Sequence, residues 1–284
     1  MQKTYIICRK KIRIDAEYFP GDNPLWSQFE AENGASDINI TCRIAEPFPK
    51  ISEAERKKAG EFFVSVAGST VYRELPMANK PGALSVYSSS DTTFSETLFT
   101  EESFPVMMDN RYMWGSVSLA QLLLPKSAFF MHASFISTKG KAILFSAPSG
   151  TGKSTQADLW QRYRSAEIVN GDKAGILAEN GIYACGVPFC GTSGICKNKD
   201  FPLGAIVLLS QAKVNSVRRL KGVEALQKLL QNVYLDLIAP DEHKMIINLL
   251  IKVLETVPVY SLSCTADENA VTALEKALRD GGVI

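Results

Sequence analysis

The chain has 284 residues, of which 46% are hydrophobic and 21% charged, a composition typical of a soluble globular protein with one large or two modest domains. Its 31 basic and 30 acidic side chains give a net charge of +1, so no overall field would attract nucleic acid or an anionic membrane. The N-terminal apolar stretch is short, and no apolar run approaches the roughly 20 residues that span a bilayer. We therefore expect a cytoplasmic protein with neither nucleic-acid nor membrane partners. The sequence leaves homo-oligomerisation open.

The cysteines are scattered along the chain and include no C-x-x-C pair, and only two histidines could help them to hold a metal ion. Two of them, Cys190 and Cys196, could meet across a loop. Reduced thiols are nevertheless the simpler expectation for a cytoplasmic protein. The six positions are Cys8, Cys42, Cys185, Cys190, Cys196 and Cys264.

Residues 1–105 are rich in short extended patterns such as "DINITCRIA", "EFFVSVAG" and "ALSVYSS", each bounded by turn-forming residues. They predict a β-rich N-terminal accessory region. The segment "NPLWSQFEAEN" predicts a short helix, because its apolar residues fall on one helical face.

Residues 106–284 have a mixed pattern that predicts an α/β domain. The segment "MWGSVSLAQLLLPKS" predicts a helix that ends near Pro125. Three short strands are expected in "AEIVNGDKAGILAENGIYACGVPF", and the apolar run "LGAIVLLSQA" predicts a strand buried on both faces. The final helix is expected to open with a capping box formed by Thr265 and Glu268.

The segment "FSAPSGTGKST", residues 145–155, lies between a predicted strand and a predicted helix. Strand, glycine-rich turn and helix N-terminus together direct backbone N–H groups and the positive helix end at a phosphate. Lys153 would place a cation against the β- and γ-phosphates, and Ser154 could offer its hydroxyl to Mg²⁺. Ala147 occupies the first glycine position of the usual G-x-x-x-x-G-K-[ST] pattern, which costs little if its φ is negative. The predicted nucleotide-binding residues are Ser149, Gly150, Thr151, Gly152, Lys153, Ser154 and Thr155.

A triphosphate site also needs a carboxylate. The buried strand "AIVLLS" ends at Ser210, whereas Asp172 follows the strand "AEIVN" and is the better candidate for a general base or metal ligand. Its alternative role is that of a turn former in "NGDK". His132 precedes the glycine-rich turn and is either an active-site or a core residue. The loop around residues 190–199 is glycine-rich and cationic, so it either closes over a substrate or is a plain surface loop.

The combination "HAS…KGKAILFSAPSGTGKST…IVNGD" resembles the catalytic core of the HPr kinase/phosphorylase family. It is also similar to the ATP-dependent phosphoenolpyruvate carboxykinases, which share that P-loop fold. The resemblance covers roughly residues 128–210. It implies a mixed sheet with flanking helices, ATP and Mg²⁺ as ligands, Ser154 and Asp172 at the metal, and Asp172, Lys153 and His132 as catalytic residues. Gly171 stands where those families have the first of two acidic residues.

The sequence therefore predicts a kinase that transfers the γ-phosphate of ATP to a hydroxyl of a peptide, a protein or a small molecule. The β-rich region at 1–105 would help to select this acceptor. The alternative is a regulatory or scaffold protein that binds ATP without transferring its phosphate, and the missing second acidic residue keeps this alternative open.

Overall fold

The computed structural model describes residues 1–19, 24–49, 56–78, 80–108, 112–235 and 239–284. The chain forms two compact units. The first contains Met1–Lys126 and Leu235–Ile246, and the second contains Ser127–Tyr234 and Ile247–Ile284. The domain boundary expected after residue 105 thus falls inside the first unit, and the acceptor-selecting role of that region stays a prediction.

A mixed β-sheet forms most of the first unit. Its described strands are β1 Gln2–Ile7, β2 Lys10–Ala16, β3 Ile38–Ile44, β4 Lys57–Ala59, β5 Phe62–Ala67, β6 Thr70–Met77, β7 Lys80–Ser88 and β8 Phe94–Phe99. They lie in the order β1-β2-β3-β8-β7-β6-β5-β4. The strand β3 is parallel to both β2 and β8, and the other pairs are antiparallel. The β-rich character expected of the N-terminal region is confirmed.

The described helices of this region are short: α1 Pro24–Ser27, α2 Phe104–Met107, α3 Met113–Ser116 and α4 Leu119–Leu123. The single helix predicted for "MWGSVSLAQLLLPKS" was wrong, because α3 and α4 are separate. Ser118 between them has φ 57°, a left-handed conformation that interrupts the helix. The predicted end near Pro125 agrees with the structure, in which one 3₁₀ turn, Leu124–Lys126, follows α4.

A second mixed sheet forms the core of the second unit. Its described strands are β9 Ala128–Thr138, β10 Lys141–Ser146, β11 Glu167–Asn170, β12 Lys173–Leu177, β13 Tyr183–Cys185, β14 Asp200–Gln211, β15 Ser216–Leu220 and β16 Val259–Cys264. They lie in the order β10-β9-β12-β13-β14-β16-β15, with β11 also on β9 and β10 also on β14. The long strand β9 pairs with β12 along its first half and with β10 and β11 along its second half. The predictions of three short strands and of a buried strand at "LGAIVLLSQA" are confirmed.

The parallel strands of this sheet determine where a ligand could be held. The strand β14 is parallel to both β10 and β16, so the carboxyl ends of these three strands lie at one edge. In open α/β sheets this edge is where ligands bind. The loop after β10 is the glycine-rich segment.

The helices after β10 are α5 Lys153–Arg164, α6 Gly222–Leu230, α7 Pro240–Thr256 and α8 Glu268–Asp280. The division between the two units falls within α7. A buried apolar cluster holds α5 and α8 on the sheet. It includes Phe145 and Trp160, whose ring centroids are 6.3 Å apart, together with Leu262 and Leu274. This packing fixes the direction in which α5 leaves the glycine-rich segment.

The helix α8 begins later than the sequence indicates. Its N-cap is Asp267, whose carboxylate accepts hydrogen bonds from the backbone N–H groups of Asn269 and Ala270 at 3.0 and 3.2 Å. The predicted capping box was therefore wrong. Thr265 instead donates its hydroxyl and backbone N–H groups to Asn215 Oδ1.

The protein is thus a mixed α/β protein with two mixed sheets and flanking helices. Within the described ranges, no helix combines the length and the apolar composition needed to cross a membrane.

Candidate functional site

The glycine loop, residues 147–152, connects β10 to α5. Gly150 and Gly152 have φ values of 77° and 114°, and Gly152 is the N-cap of α5. Glycine adopts such values without strain, and a β-carbon added at either position would meet no described atom within 4 Å. The backbone of the loop is therefore accessible from outside.

Several backbone N–H groups of this loop and of the first turn of α5 lack a described acceptor. The first backbone N–H groups of a helix have no partner within the helix, and no described residue accepts a hydrogen bond from the N–H groups of Gly150, Gly152, Lys153, Ser154 or Thr155. These groups lie at the positive end of the α5 dipole. Ser154 and Thr155 are exposed in the first turn, as are Ser149 and Gly150 in the loop, while Thr151 is half-buried.

Lys153 is folded back into the loop. Its side chain is 8% exposed, and Nζ donates hydrogen bonds to the carbonyl oxygens of Ala147 at 2.9 Å and Pro148 at 3.3 Å. Burial lowers the pKa of the ammonium group, and the negative charge of Asp172 partly offsets this effect. The ammonium group is thus held beside the open amides by two carbonyl groups of the loop.

His132 and Asp172 meet beside the glycine loop. His132 lies in β9 opposite Lys173, the first residue of β12. Because the two strands are antiparallel, Asp172 lies beside Ala133, the residue after His132. The Nδ1 atom of His132 is 3.5 Å from Asp172 Oδ1, and the backbone N–H of Ala133 donates to the Asp172 carbonyl at 3.0 Å. The pKa of His132 is lowered by burial and by the charge of Lys153, and Asp172 acts in the opposite direction.

Lys173 contacts the other oxygen of the same carboxylate. Lys173 Nζ lies 3.0 Å from Asp172 Oδ2 and also stands over the ring of Tyr234, 4.5 Å from its centroid. Sequence reasoning missed Lys173. The only available signal was its position directly after Asp172. The carboxylate therefore has one oxygen toward an imidazole and the other toward an ammonium group.

Asn170 anchors the turn that carries Asp172. It is fully buried at the end of β11, and its Oδ1 atom accepts hydrogen bonds from the backbone N–H groups of Asp172 and Lys173 at 2.9 and 3.0 Å. Sequence reasoning treated this residue only as part of a turn. A buried polar residue directly before the proposed functional carboxylate was the missed signal.

Gly171 explains why this turn has one carboxylate rather than two. A β-carbon added at Gly171 would lie 2.2 Å from Ser193 Oγ, a distance that real atoms do not reach. The loop that carries Ser193 therefore occupies the place of any side chain at 171. A side chain at 171 would thus require Ser193 or its loop to shift.

The segment 186–199 lies against Asp172 rather than apart from it. A β-carbon added at Gly191 would lie 2.7 Å from Asp172 Cγ. The cationic character expected of this loop is neutralised locally, because Lys197 and Lys199 both form ion pairs with Glu167 at 2.8 Å. Closure of the loop over a substrate remains a prediction.

The cysteines of this segment are free thiols, as are the other four in the chain. Cys196 is buried, and burial together with the neighbouring Cys190 thiol raises its pKa to about 12. Among the described residues, no group of three or more His, Cys, Asp or Glu side chains lies together as a metal site would require.

The structure thus brings together Lys153, His132 and Asp172, three residues from separate parts of the sequence. Ser210 lies near the carboxyl end of β14, at the same edge of the sheet. Its hydroxyl group forms a hydrogen bond with the hydroxyl group of Ser263 at 2.8 Å, so this strand end provides no carboxylate. The neighbouring Gln211 donates a hydrogen bond to the Gly150 carbonyl at 3.4 Å. The site therefore combines a loop of open amides, a buried lysine and one carboxylate.

No family model matches this chain, and no curated protein matches it. Among solved structures, it is similar to the Hpr(Ser) kinase/phosphatase from Coxiella burnetii, with 12% sequence identity and a TM-score of 0.31. The match covers 54% of this chain and 89% of the other. Such a distant likeness transfers no activity to this chain.

Proposed function

We propose that the protein is an ATP- and Mg²⁺-dependent kinase of the P-loop type, which transfers the γ-phosphate to a hydroxyl of a peptide, a protein or a small molecule. The observation that carries this proposal is the glycine loop with open amides and the buried Lys153, next to His132, whose ring lies 3.5 Å from the Asp172 carboxylate. The Lys153 ammonium group can bind phosphate oxygens, and the Asp172 carboxylate can accept the proton of a hydroxyl group. Phosphoryl transfer needs both, because it depends mainly on positioning and charge neutralisation.

The glycine loop would bind the phosphates of ATP. The residues are those expected from the sequence, Ser149, Gly150, Thr151, Gly152, Lys153, Ser154 and Thr155. The Lys153 ammonium group would exchange the carbonyls of Ala147 and Pro148 for phosphate oxygens. This exchange replaces neutral acceptors by charged ones, and hydrogen bonds to charged acceptors are the stronger.

Asp172 would accept the proton of the acceptor hydroxyl as general base. His132 on one carboxylate oxygen and Lys173 on the other fix the orientation of the group. A bound Mg²⁺ would neutralise phosphate charge, and it commonly takes one or two protein ligands in addition to phosphate and water oxygens. The Ser154 hydroxyl and the Asp172 carboxylate are oxygen donors of the type that Mg²⁺ prefers.

The second candidate is a regulatory protein that binds ATP without transferring phosphate. The observation that favours it is Gly171, which leaves a single carboxylate to act as both base and metal ligand. Both candidates predict nucleotide binding, and only the first predicts phosphate transfer.

The decisive experiment incubates the protein with γ-labelled ATP, Mg²⁺ and a cell extract, and follows the label. We expect Lys153→Ala to abolish transfer, and Asp172→Asn to retain stabilisation by Mg-ATP while losing transfer. Matched controls are Lys276→Ala and Asp158→Asn, two exposed helix positions, which should behave as the wild type. Normal transfer by Asp172→Asn would remove this residue from the mechanism, and stabilisation by Mg-ATP without any transfer would favour the regulatory protein.

A further inference from the structure

Asn170 does more than support the turn that carries Asp172, because its side chain also reaches the opposite segment. Its Nδ2 group donates to the carbonyl oxygens of Val187 at 3.0 Å and Phe189 at 2.7 Å. Together with the two bonds that Oδ1 accepts, every hydrogen-bonding position of the amide is used. One fully buried side chain therefore joins two backbone segments.

The segment that Asn170 holds is named here the wall loop, residues 186–197. Backbone hydrogen bonds continue the attachment: the N–H of Gly171 donates to the Ile195 carbonyl at 3.2 Å, and the N–H of Lys197 to the Val169 carbonyl at 2.9 Å. The wall loop is thus tied along the whole of residues 169–171. The position of the wall loop is therefore fixed relative to the carboxyl end of β11.

The wall loop packs directly against one side of Asp172. Gly191 has φ 52°, and a β-carbon added there would lie 2.7–3.1 Å from three atoms of the Asp172 side chain, Cγ, Cβ and Oδ1. Gly194, in the same loop, has φ 66°, yet a β-carbon there would meet nothing within 4 Å. The close approach is therefore a property of residue 191 and not of the loop in general.

We propose that Asn170 is a positioning residue that fastens the wall loop beside Asp172, and that Gly191, which has no side chain, lets the loop pack there without displacing the carboxylate that would receive the acceptor's proton. This inference rests on the proposed function, because it concerns the acceptor side of the same site. The side chain of Asn170 does not touch the reacting groups. It acts through the backbone of the wall loop and of Asp172.

The fastening is tested without any substrate by the reactivity of thiols. Cys196 lies in the wall loop and is 6% exposed, while Cys185 lies in the neighbouring β13 and is 0% exposed. Labelling by iodoacetamide, resolved by peptide mass spectrometry, should rise at Cys196 by at least about tenfold in Asn170→Ala, as loss of about 1.4 kcal/mol of anchoring would give. Labelling at Cys185 should stay at the wild-type rate.

A rise at both cysteines would mean general unfolding, and it would overturn the claim of a local anchor. The control variant is Ser134→Ala, which removes a different fully buried hydrogen bond, from the Ser134 hydroxyl to the Gly171 carbonyl at 2.9 Å. It should leave Cys196 protected. Wild-type labelling of Cys196 in Asn170→Ala would refute the fastening.

The role of Gly191 is tested with a pair of glycines. Gly191→Ala and Gly194→Ala add the same methyl group at similar backbone angles, but only the methyl group at 191 would meet Asp172, so that the carboxylate or the loop must shift there. We expect Gly191→Ala to lower transfer from γ-labelled ATP at least about tenfold while keeping stabilisation by Mg-ATP. Gly194→Ala should transfer as the wild type. Equal transfer by the two variants would refute the role of Gly191.

Failure of the proposed function and failure of the Asn170 and Gly191 roles would give different results. A wild-type protein that Mg-ATP does not stabilise would refute the proposed function, and with it the acceptor-side role of the wall loop. The thiol measurements would still decide whether Asn170 fastens the loop. Intact transfer in the wild type, with equal rates in the glycine pair, would refute only the further inference.

Discussion

Gly150 offers a well-controlled perturbation of the glycine loop, because the turn between β9 and β10 contains a glycine in almost the same conformation. Gly150 has φ 77° and Gly140 has φ 73°, and a β-carbon added at either would meet no described atom within 4 Å. Gly150→Ala and Gly140→Ala therefore carry the same backbone cost, about 1–2 kcal/mol for a left-handed residue with a β-carbon. Neither adds a steric cost in the absence of ligand.

The two variants differ in what the new methyl group faces when nucleotide is present. At Gly150 it would occupy space beside the open amides, where phosphate is expected. Loss of one charge-assisted hydrogen bond costs about 1.5–3 kcal/mol, which corresponds to an increase in Kd of roughly 10- to 150-fold. At Gly140 no ligand is expected, so the affinity for ATP should not change.

Thermal unfolding with and without Mg-ATP measures both effects. Without nucleotide, both variants should lose roughly 2–8 °C in Tm, at about 2–4 °C per kcal/mol. With Mg-ATP at a hundred times the wild-type Kd, the wild type and Gly140→Ala should gain about 2.7 kcal/mol. A hundredfold weaker Gly150→Ala should gain about 0.4 kcal/mol.

An equal gain of stability from Mg-ATP in Gly150→Ala and Gly140→Ala would contradict phosphate binding at the glycine loop. That result would mean that phosphate does not approach the backbone at residue 150. Unequal losses of Tm without nucleotide would instead show that the two left-handed positions are not equivalent in strain, and the comparison of affinities would then need each variant's own baseline.

Three further predictions concern stability. Trp160→Ala should cost about 3–5 kcal/mol in chemical denaturation, because its indole is 1% exposed between α5 and the sheet, and a cost below 1 kcal/mol would contradict that packing. Asp267→Ala should lower the free energy of unfolding by about 1 kcal/mol through loss of the α8 N-cap, and an unchanged value would show that the cap is replaceable. Hydrogen bonds from Arg279 and Arg164 lower the pKa of Glu275, so its stabilisation is present above the unfolded-state pKa and is lost as pH falls through the lower folded-state value. Glu275→Gln should weaken this part of the acid dependence in unfolding curves, and an unaltered pH profile would refute the assignment.

The strand, glycine loop and helix around residues 142–164 could be predicted because their signals are local. An apolar run, closely spaced glycines and a helical pattern follow one another within about twenty residues. The start of α8 was harder, because Thr265 and Asp267 are both good capping residues and stand two positions apart. In the structure the Thr265 hydroxyl donates a hydrogen bond to Asn215, fifty residues earlier in the chain, and Asp267 is the N-cap.

The surroundings of Asp172 could be predicted only in part. Its place after a strand is a local feature, and the motif indicated Lys153 and His132 as partners. The contact with Gly191 depends on how the wall loop folds back over the turn, and the double role of Asn170 depends on two carbonyls in that loop. No periodicity in the sequence reports such contacts.

The close contact between Gly171 and Ser193 makes two positions of this chain interdependent. An acidic residue at 171 and a serine at 193 cannot occupy the structure together, because the first β-carbon would lie 2.2 Å from the serine hydroxyl. Attempts to install a second carboxylate by Gly171→Asp alone should therefore displace the wall loop instead of strengthening a metal site. Because the Ser193 β-carbon would itself lie only 2.5 Å away, removal of the hydroxyl group alone would not make room, and a two-carboxylate turn needs either glycine at 193 or a displaced wall loop.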